Sequence, residues 1–160
     1  MAIRKKASAA RKPAAKRIKR KIVVRKASAA INYLTLSIGA KLPGGIFAGI
    51  TYAAGKPFAL VLGPEYDGPV DWDAVAAWVK TLRVDGCADF VLPSKLDGML
   101  LFTNLRDQFK REAYWLEQHA DYPSDAWSQY FCYGYQRSWD ESNKLRARAV
   151  RRIPLSNSVL

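Results

Sequence analysis

Nine aromatic side chains crowd the 26 residues from Tyr114 to Trp139, and this segment limits the possible folds more than any other. Pro123, Gly134 and several small polar residues interrupt the segment, which makes a long helix unfavourable. Tyr and Trp are common in strands, and they offer a large contact area at a low cost in side-chain entropy. The segment therefore predicts short strands and loops that display aromatic side chains. Such surfaces favour recognition over catalysis.

Alternation along the segment separates core positions from surface positions. Trp127, Phe131 and Cys132 are expected in the core, because alternation buries part of the strand Trp127–Cys132. The residues around the following turn are better candidates for a surface, and packing beneath a long loop is the alternative for each of them. The predicted contact residues are Tyr130, Tyr133, Tyr135, Gln136, Arg137 and Trp139.

The positive charge of the chain is confined to its first 30 residues. The whole chain of 160 residues has a formal net charge of +12. Residues 1–30 contain 12 Lys and Arg and no acid, whereas residues 31–160 contain 14 basic and 14 acidic residues. The chain therefore combines a basic arm with a neutral body.

The basic arm has low sequence complexity and no aromatic residue, and it repeats KASAA at Lys6–Ala10 and Lys26–Ala30. Such a segment buries too little apolar surface to offset chain entropy, so we expect it to be disordered when free. Its cations would contact nucleic acid or an acidic protein face, without base specificity and with a strong dependence on salt. A solvated tail that only confers solubility is the alternative. The predicted polyanion-binding residues are Arg4, Lys5, Lys6, Arg11, Lys12, Lys16, Arg17, Lys19, Arg20, Lys21, Arg25 and Lys26.

Neither a signal peptide nor a membrane span is predicted. The basic region extends to Lys26, and Lys41 and Pro43 interrupt the apolar stretch that follows. An uninterrupted h-region and a run of about 20 apolar residues are both missing. Two cysteines are too few for a disulfide framework, so Cys87 and Cys132 are expected to be buried free thiols, with one bridge between them as the alternative.

Catalysis finds little support in the sequence. His119 is the only histidine and lies in the polar stretch EQHAD, where a surface position is the usual one. No nucleophile–base pair, glycine-rich phosphate loop or metal-binding cysteine motif is present. We therefore expect a protein without a cofactor, a metal or an enzymatic activity.

The order of predicted elements indicates an α+β fold. Residues 31–43 form a linker or an added strand, and a β-hairpin follows, with strands Ile46–Ala53 and Phe58–Leu62 around the turn signal AGKP. Asp71 is predicted to cap a helix over Trp72–Leu82, because apolar residues recur there at helical spacing.

A second helix is predicted from the cap Ser94 to about Arg111, followed by three or four short strands. Two of these strands are placed at Ala126–Cys132 and Leu145–Ile153, with a turn near Tyr133 and Gly134. The buried stripe of this helix is predicted to consist of Leu96, Met99, Leu100, Leu105 and Phe109.

Several ordered motifs between Gly44 and Ile153 resemble one family: GGIFAGI, ALVLGP, DFVLPSK, YW, AWSQYFCYGYQ and LRARAVRR. The family is an uncharacterised domain of phages, prophages and bacteria that also forms the C-terminus of a collagen-like bacterial adhesin. The resemblance implies a C-type-lectin-like fold over residues 44–154, with a short tail at 155–160. The late loops lack the EPN and WND triplets of calcium-dependent lectins, which favours a calcium-free form. In that fold the early and last strands pair, two helices pack on them, and a loop-rich insertion carries ligand contacts.

The chain is also similar to the variable proteins of diversity-generating retroelements, whose aromatic C-terminal segment forms a binding face. By that analogy Trp115 joins the predicted contact residues. The resemblance implies a non-catalytic virion component, located in the particle or the host cytoplasm, that binds other virion proteins or a host-surface receptor and forms a homo-oligomer. A nucleic-acid-associated protein whose arm binds DNA or RNA is the alternative.

Overall fold

The computed structural model describes residues 31–118 and 121–155. The predictions for the arm at residues 1–30, for His119 and for residues 156–160 of the tail lie outside the described residues. The fold is α+β, as predicted, with eight strands in two antiparallel sheets and two α-helices among the described residues. In chain order the elements are β1 (Lys41–Leu42), β2 (Gly45–Ala53), β3 (Lys56–Glu65), α1 (Trp72–Thr81), β4 (Phe90–Val91), α2 (Lys95–Leu105), β5 (Ala113–Gln118), β6 (Asp125–Tyr130), β7 (Gln136–Asp140) and β8 (Arg148–Pro154), with 3-10 turns at Tyr33–Thr35 and Arg106–Gln108.

Five antiparallel strands form the larger sheet, in the order β1-β2-β3-β8-β4. The predicted hairpin is confirmed as β2 and β3, and its turn uses Ala54 and Gly55 with φ of 47° and 73°. Strand β8 brings the end of the chain beside β3, where Leu60 lies opposite Arg152. This strand begins three residues later than predicted, because Leu145 pairs with Val70 outside the sheet.

Both predicted helix caps are confirmed. The Asp71 side chain accepts a hydrogen bond from the Ala74 amide at the start of α1. At the start of α2, the Ser94 hydroxyl accepts from the Asp97 amide, and the Asp97 carboxylate accepts from the Ser94 amide. This reciprocal capping box satisfies two amides that the first turn of a helix leaves without partners.

The predicted buried stripe of α2 is partly wrong. Leu96 and Met99 are 51% and 43% exposed, although Leu105 is buried as predicted. The buried face is instead formed by Asp97, Gly98, Leu101 and Leu105. The buried face is therefore displaced by one residue from the predicted apolar stripe. It includes the acid Asp97, because this carboxylate has strong partners inside the protein. The helix also ends at Leu105, six residues before the predicted end, and a 3-10 turn follows.

Strands β5, β6 and β7 form a smaller antiparallel sheet in that order, which the aromatic segment supplies. Strand β6 ends at Tyr130, two residues before the predicted end, because a turn begins at Phe131. Phe131 is buried as predicted, whereas Trp127 and Cys132 are only half-buried.

The segment before β2 packs against the far side of the larger sheet. Four of its side chains contact a buried cluster of Phe47, Ala59 and Leu155. Two larger clusters lie around the helices: one joins α1 to Trp115 and Ala147, and the other joins α2 to the sheet residues Leu60 and Val150. The four contacting side chains are Tyr33, Leu36, Ala40 and Leu42.

Candidate functional site

The predicted contact residues divide between the two faces of the smaller sheet. The β6–β7 register places Ala126 opposite Trp139 and Ser128 opposite Arg137. One step further, the Tyr130 amide donates to the Tyr135 carbonyl oxygen over 2.9 Å. Residues opposite each other in an antiparallel pair share a face. Tyr130, Tyr135, Arg137 and Trp139 therefore lie on the same side of this sheet.

Three of the predicted contact residues form a stack at the β6–β7 turn, and we call Tyr130, Tyr133 and Tyr135 the tyrosine face. The ring centroids of Tyr130 and Tyr135 are 4.9 Å apart, and each of these rings is 6.3 Å from Tyr133. Interplanar angles of 7° to 21° show that the three rings are nearly parallel. Tyr133 is 74% exposed and Tyr135 is 46% exposed, so the stack faces solvent.

The turn that carries the tyrosine face depends on Gly134. Its φ of 85° lies in the left-handed region, which residues with a Cβ rarely adopt. A Cβ at this position would also lie 2.7 Å from the Phe102 ring of α2. Only glycine therefore allows both this turn and its close contact with the helix.

The prediction that Trp115 contributes to a surface is wrong. Its side chain is fully buried, and its indole N–H donates to the Val70 carbonyl oxygen over 2.8 Å. The outer edge of β5 is covered, because the Trp115 amide donates to the Arg146 carbonyl oxygen. Trp115 therefore belongs to the core cluster of α1.

Gln136 and Trp139 contact other parts of the protein, so less of each side chain is available for binding at the predicted surface. The Gln136 amide nitrogen donates to the Lys95 carbonyl oxygen at 2.7 Å and to Gln129 Oε1 at 2.9 Å, on the face opposite the tyrosines. Trp139 is half-buried against the core, and the Arg137 guanidinium lies 4.3 Å from its ring centroid. Arg137 itself is exposed, as predicted.

Two arginines outside the predicted contact residues converge on the same turn. Arg106 donates from Nε to the Phe131 carbonyl oxygen over 3.2 Å and from Nη2 to the Cys132 carbonyl oxygen over 2.8 Å. The Arg111 guanidinium lies 3.5 Å from Cys132 Sγ. In the sequence these arginines belong to an ordinary charged stretch after a helix, and no local pattern marks them.

Three of the four arginines of β8 and its approach are neutralised by carboxylates, and the fourth, Arg148, donates to the Gly63 and Gln108 carbonyl oxygens. Arg146 pairs with Glu65 and Glu112, Arg151 pairs with Asp89, and Arg152 pairs with Asp97. These contacts indicate structural pairing of the three arginines and not an exposed basic strip. The pKa of Asp89 is lowered chiefly by its hydrogen bond with Arg151.

The arginines near the tyrosine face are different. Within residues 31–118 and 121–155, Arg106, Arg111 and Arg137 have no carboxylate within 4.0 Å. The pKa of the Cys132 thiol is lowered, most strongly by its contact with Arg111 and also by Tyr133 and the charge of Arg106, against an opposing effect of burial. The local electrostatic potential at this turn is therefore positive.

An open cleft of about 500 Å³ adjoins the tyrosine face. Arg106 and Arg111 line it and also contact Cys132, which precedes Tyr133 in the chain, so the tyrosine face lies beside the cleft although none of its rings lines it. The Phe109 and Phe131 rings stack at the base, 3.7 Å apart. The lining residues are Thr103, Asn104, Arg106, Asp107, Phe109, Arg111 and Phe131.

Neither a metal-binding cluster nor a membrane-spanning helix is found within the same described ranges. No three His, Cys, Asp or Glu side chains in residues 31–118 and 121–155 are arranged to hold a metal ion. In this part of the chain no helix has the length and apolar character needed to cross a membrane. Cys87 and Cys132 are both free and half-buried.

The site combines exposed parallel aromatic rings, two unneutralised guanidinium groups and an adjoining cleft. This arrangement can bind an amphipathic or anionic partner by stacking and charge-assisted hydrogen bonds. No protein-family model matches this chain, and no curated protein matches it.

Proposed function

We propose that this chain is a non-catalytic recognition protein of a phage or prophage, and that the tyrosine face is its contact surface. The observation that carries this proposal is the stack of three parallel tyrosine rings, whose most prominent member, Tyr133, is 74% exposed. Tyr and Arg are the residues enriched in binding hot spots, because they combine large contact areas with polar groups. The nearby Arg106 and Arg111 fit the same composition.

A C-type-lectin-like fold is the architecture that we propose for residues 44–154. Three features of the described residues support it. The early strand β3 pairs with the late strand β8. Two helices pack beside this sheet, and a second sheet is inserted between α2 and β8. In this proposal the inserted sheet carries the ligand contacts.

A role as a virion component accounts for both the basic arm and the rest of the chain. The tyrosine face would meet another virion protein or a host-surface receptor, and the basic arm would anchor the protein in the particle. Homo-oligomerisation would multiply weak single contacts, as expected for particle proteins that bind repeated receptors. A second candidate, a nucleic-acid-associated protein, is favoured by one observation: residues 1–30 contain 12 cations and no acid.

The first test is quantitative mass spectrometry of gradient-purified phage particles that have been washed at high salt. A fixed stoichiometric amount of this chain in the particle is the expected result. Absence of the chain from particles would overturn the virion role and leave the nucleic-acid candidate.

The second test uses phage that carry Tyr133→Ala, with Tyr52→Ala as the matched control. Tyr52 is 57% exposed but lies on β2 of the larger sheet, away from the β6–β7 turn. Removing a hot-spot tyrosine costs about 2 kcal/mol or more, so Tyr133→Ala should reduce particle incorporation or host adsorption by at least about 10-fold. Equal behaviour of the two variants would refute the tyrosine face as the contact surface.

A further inference from the structure

We infer that the cleft beside the tyrosine face binds an acidic saccharide, with its carboxylate at Arg106 and Arg111 and a sugar ring against Tyr133. This inference rests on the proposed function, because it names the ligand class of the same recognition surface.

The charge of the cleft indicates a carboxylate. Arg106 uses Nε and Nη2 to hold the turn, and no described residue pairs with its Nη1. Arg111 has only the Cys132 thiol as a described hydrogen-bond partner, so most of its N–H donors remain available. Asp107 also lines the cleft and offsets one of the two positive charges. Among the lining residues the net charge is therefore +1, which suits one carboxylate better than a phosphate monoester, which carries about −1.5 to −2 at neutral pH.

The limited extent of this positive region argues against a nucleic acid strand as the ligand. Binding of a single strand requires a row of cations that follows the phosphate backbone. In the described part of the chain, the arginines Arg146, Arg151 and Arg152 are already paired with acids. Arg83 and Arg148 have no carboxylate partner there, but both donate to backbone carbonyl oxygens. The guanidinium groups at the turn and its cleft therefore form a short positive region that fits one small anionic group.

The aromatic and polar groups around the cleft indicate a sugar as the carrier of that carboxylate. The exposed ring of Tyr133 presents an electron-rich surface, and the C–H groups of a pyranose ring carry a partial positive charge. Phe109 is less available, because Phe131 stacks on it and Tyr114 packs edge-on against it. Thr103, Asn104 and Asp107 in the cleft lining offer hydrogen-bonding groups for sugar hydroxyls.

Isothermal titration calorimetry of the full chain with two matched probes tests this inference. The first probe is a trimer of galacturonic acid, and the second is the same trimer with every carboxylate methyl-esterified. The acid should bind at least about 10-fold more tightly, because the ester cannot form charge-assisted hydrogen bonds with the guanidinium groups.

Two pairs of variants separate the two parts of the site. Arg111→Gln should reduce affinity for the acid about 10-fold, whereas Arg83→Gln should not. Arg83 is the matched control, because it is also exposed and donates only to backbone oxygens of Lys80 and Leu82. Like Arg111, it has no carboxylate partner. Tyr133→Ala should weaken binding of the acid, and Tyr52→Ala should not.

The alternative outcomes distinguish the inference from the proposed function. Equal binding of the acid and its ester, or equal binding of triglutamate and the sugar acid, would overturn the acidic saccharide. No binding of the sugar acid, together with loss of adsorption or incorporation in Tyr133→Ala phage, would overturn the inference and retain the proposed function. Tyr133-dependent binding of the sugar acid by a chain that is missing from particles would retain the site and overturn the virion role.

Discussion

Replacing Gly134 with alanine should destabilise the protein through the turn that carries the tyrosine face. The left-handed φ of 85° costs an L-residue about 1–2 kcal/mol. The new Cβ would also lie 2.7 and 2.8 Å from two atoms of the Phe102 ring. This ring is half-buried and packs against Phe131 with centroids 6.2 Å apart, so it cannot move without losing other contacts. Overpacking of this kind typically costs about 1–3 kcal/mol, which brings the total to about 2–5 kcal/mol.

Gly55→Ala is the matched control for this prediction. Gly55 lies in the β2–β3 turn with φ of 73°, and a Cβ there would meet no atom within 4 Å. The control therefore carries the backbone cost alone. Urea unfolding followed by tryptophan fluorescence should show that Gly134→Ala loses about 1–3 kcal/mol more of the free energy of unfolding than Gly55→Ala. Equal losses in the two variants would refute the contact between the turn and α2.

Gly134→Ala should also weaken binding, although it removes no atom of the tyrosine face. A displaced turn changes the positions of Tyr133 and Tyr135 relative to Arg106, and binding sites lose affinity when their groups are no longer preorganised. Near-ultraviolet circular dichroism reports on the packing of the three rings in the folded variant. An unchanged spectrum with unchanged binding would show that the turn tolerates a Cβ.

Three further predictions concern a buried acid, a thiol and the arm. Asp97→Ala should lower the free energy of unfolding by about 3–5 kcal/mol, because it leaves Arg152 without its buried partner; a loss below about 1 kcal/mol in urea would contradict this. Cys132 should react with iodoacetamide at neutral pH faster in the native protein than in Arg111→Gln, because Arg111 lowers the pKa of the thiol and so raises the thiolate fraction; equal rates would argue against the positive potential. Deleting residues 1–30 should abolish salt-dependent binding to duplex DNA, and retention of that binding in the truncated chain would exclude the arm as its source.

Local signals were sufficient to predict the hairpin and both helix starts. The AGKP turn fixes the β2–β3 hairpin, and the caps Asp71 and Ser94 act within one helical turn of their own positions. The buried face of α2 was not predictable in the same way. Asp97 is buried because Thr51 donates to it over 2.6 Å and Arg152 donates over 2.8 Å. These partners lie 46 and 55 residues away in the sequence, so a helical pattern gives no sign of them.

The candidate site was also predictable only where its signals are local in the sequence. Alternation around one turn predicted the exposed Tyr133 and Tyr135, because strand geometry and a glycine turn are local features. Whether Trp115 is exposed depends instead on what packs on its face of β5, and Val70, Val75 and Ala147 surround it there from distant parts of the chain. Arg106 became part of the site only through its hydrogen bonds to the β6–β7 turn.

Helix α2 holds the smaller sheet, and with it the tyrosine face, at two positions on one side of the helix. A Cβ on Gly98 would lie 3.1 Å from Leu116 of β5, and Phe102 packs beneath Gly134. Residues four apart share a helical face, so Gly98 and Phe102 both point toward this sheet. These contacts fix the β6–β7 turn against a helix that is itself anchored by the buried Asp97. A surface fixed in this way loses little conformational freedom on binding, so its affinity depends on which groups of the ligand match Tyr133 and the two arginines rather than on ordering of the turn.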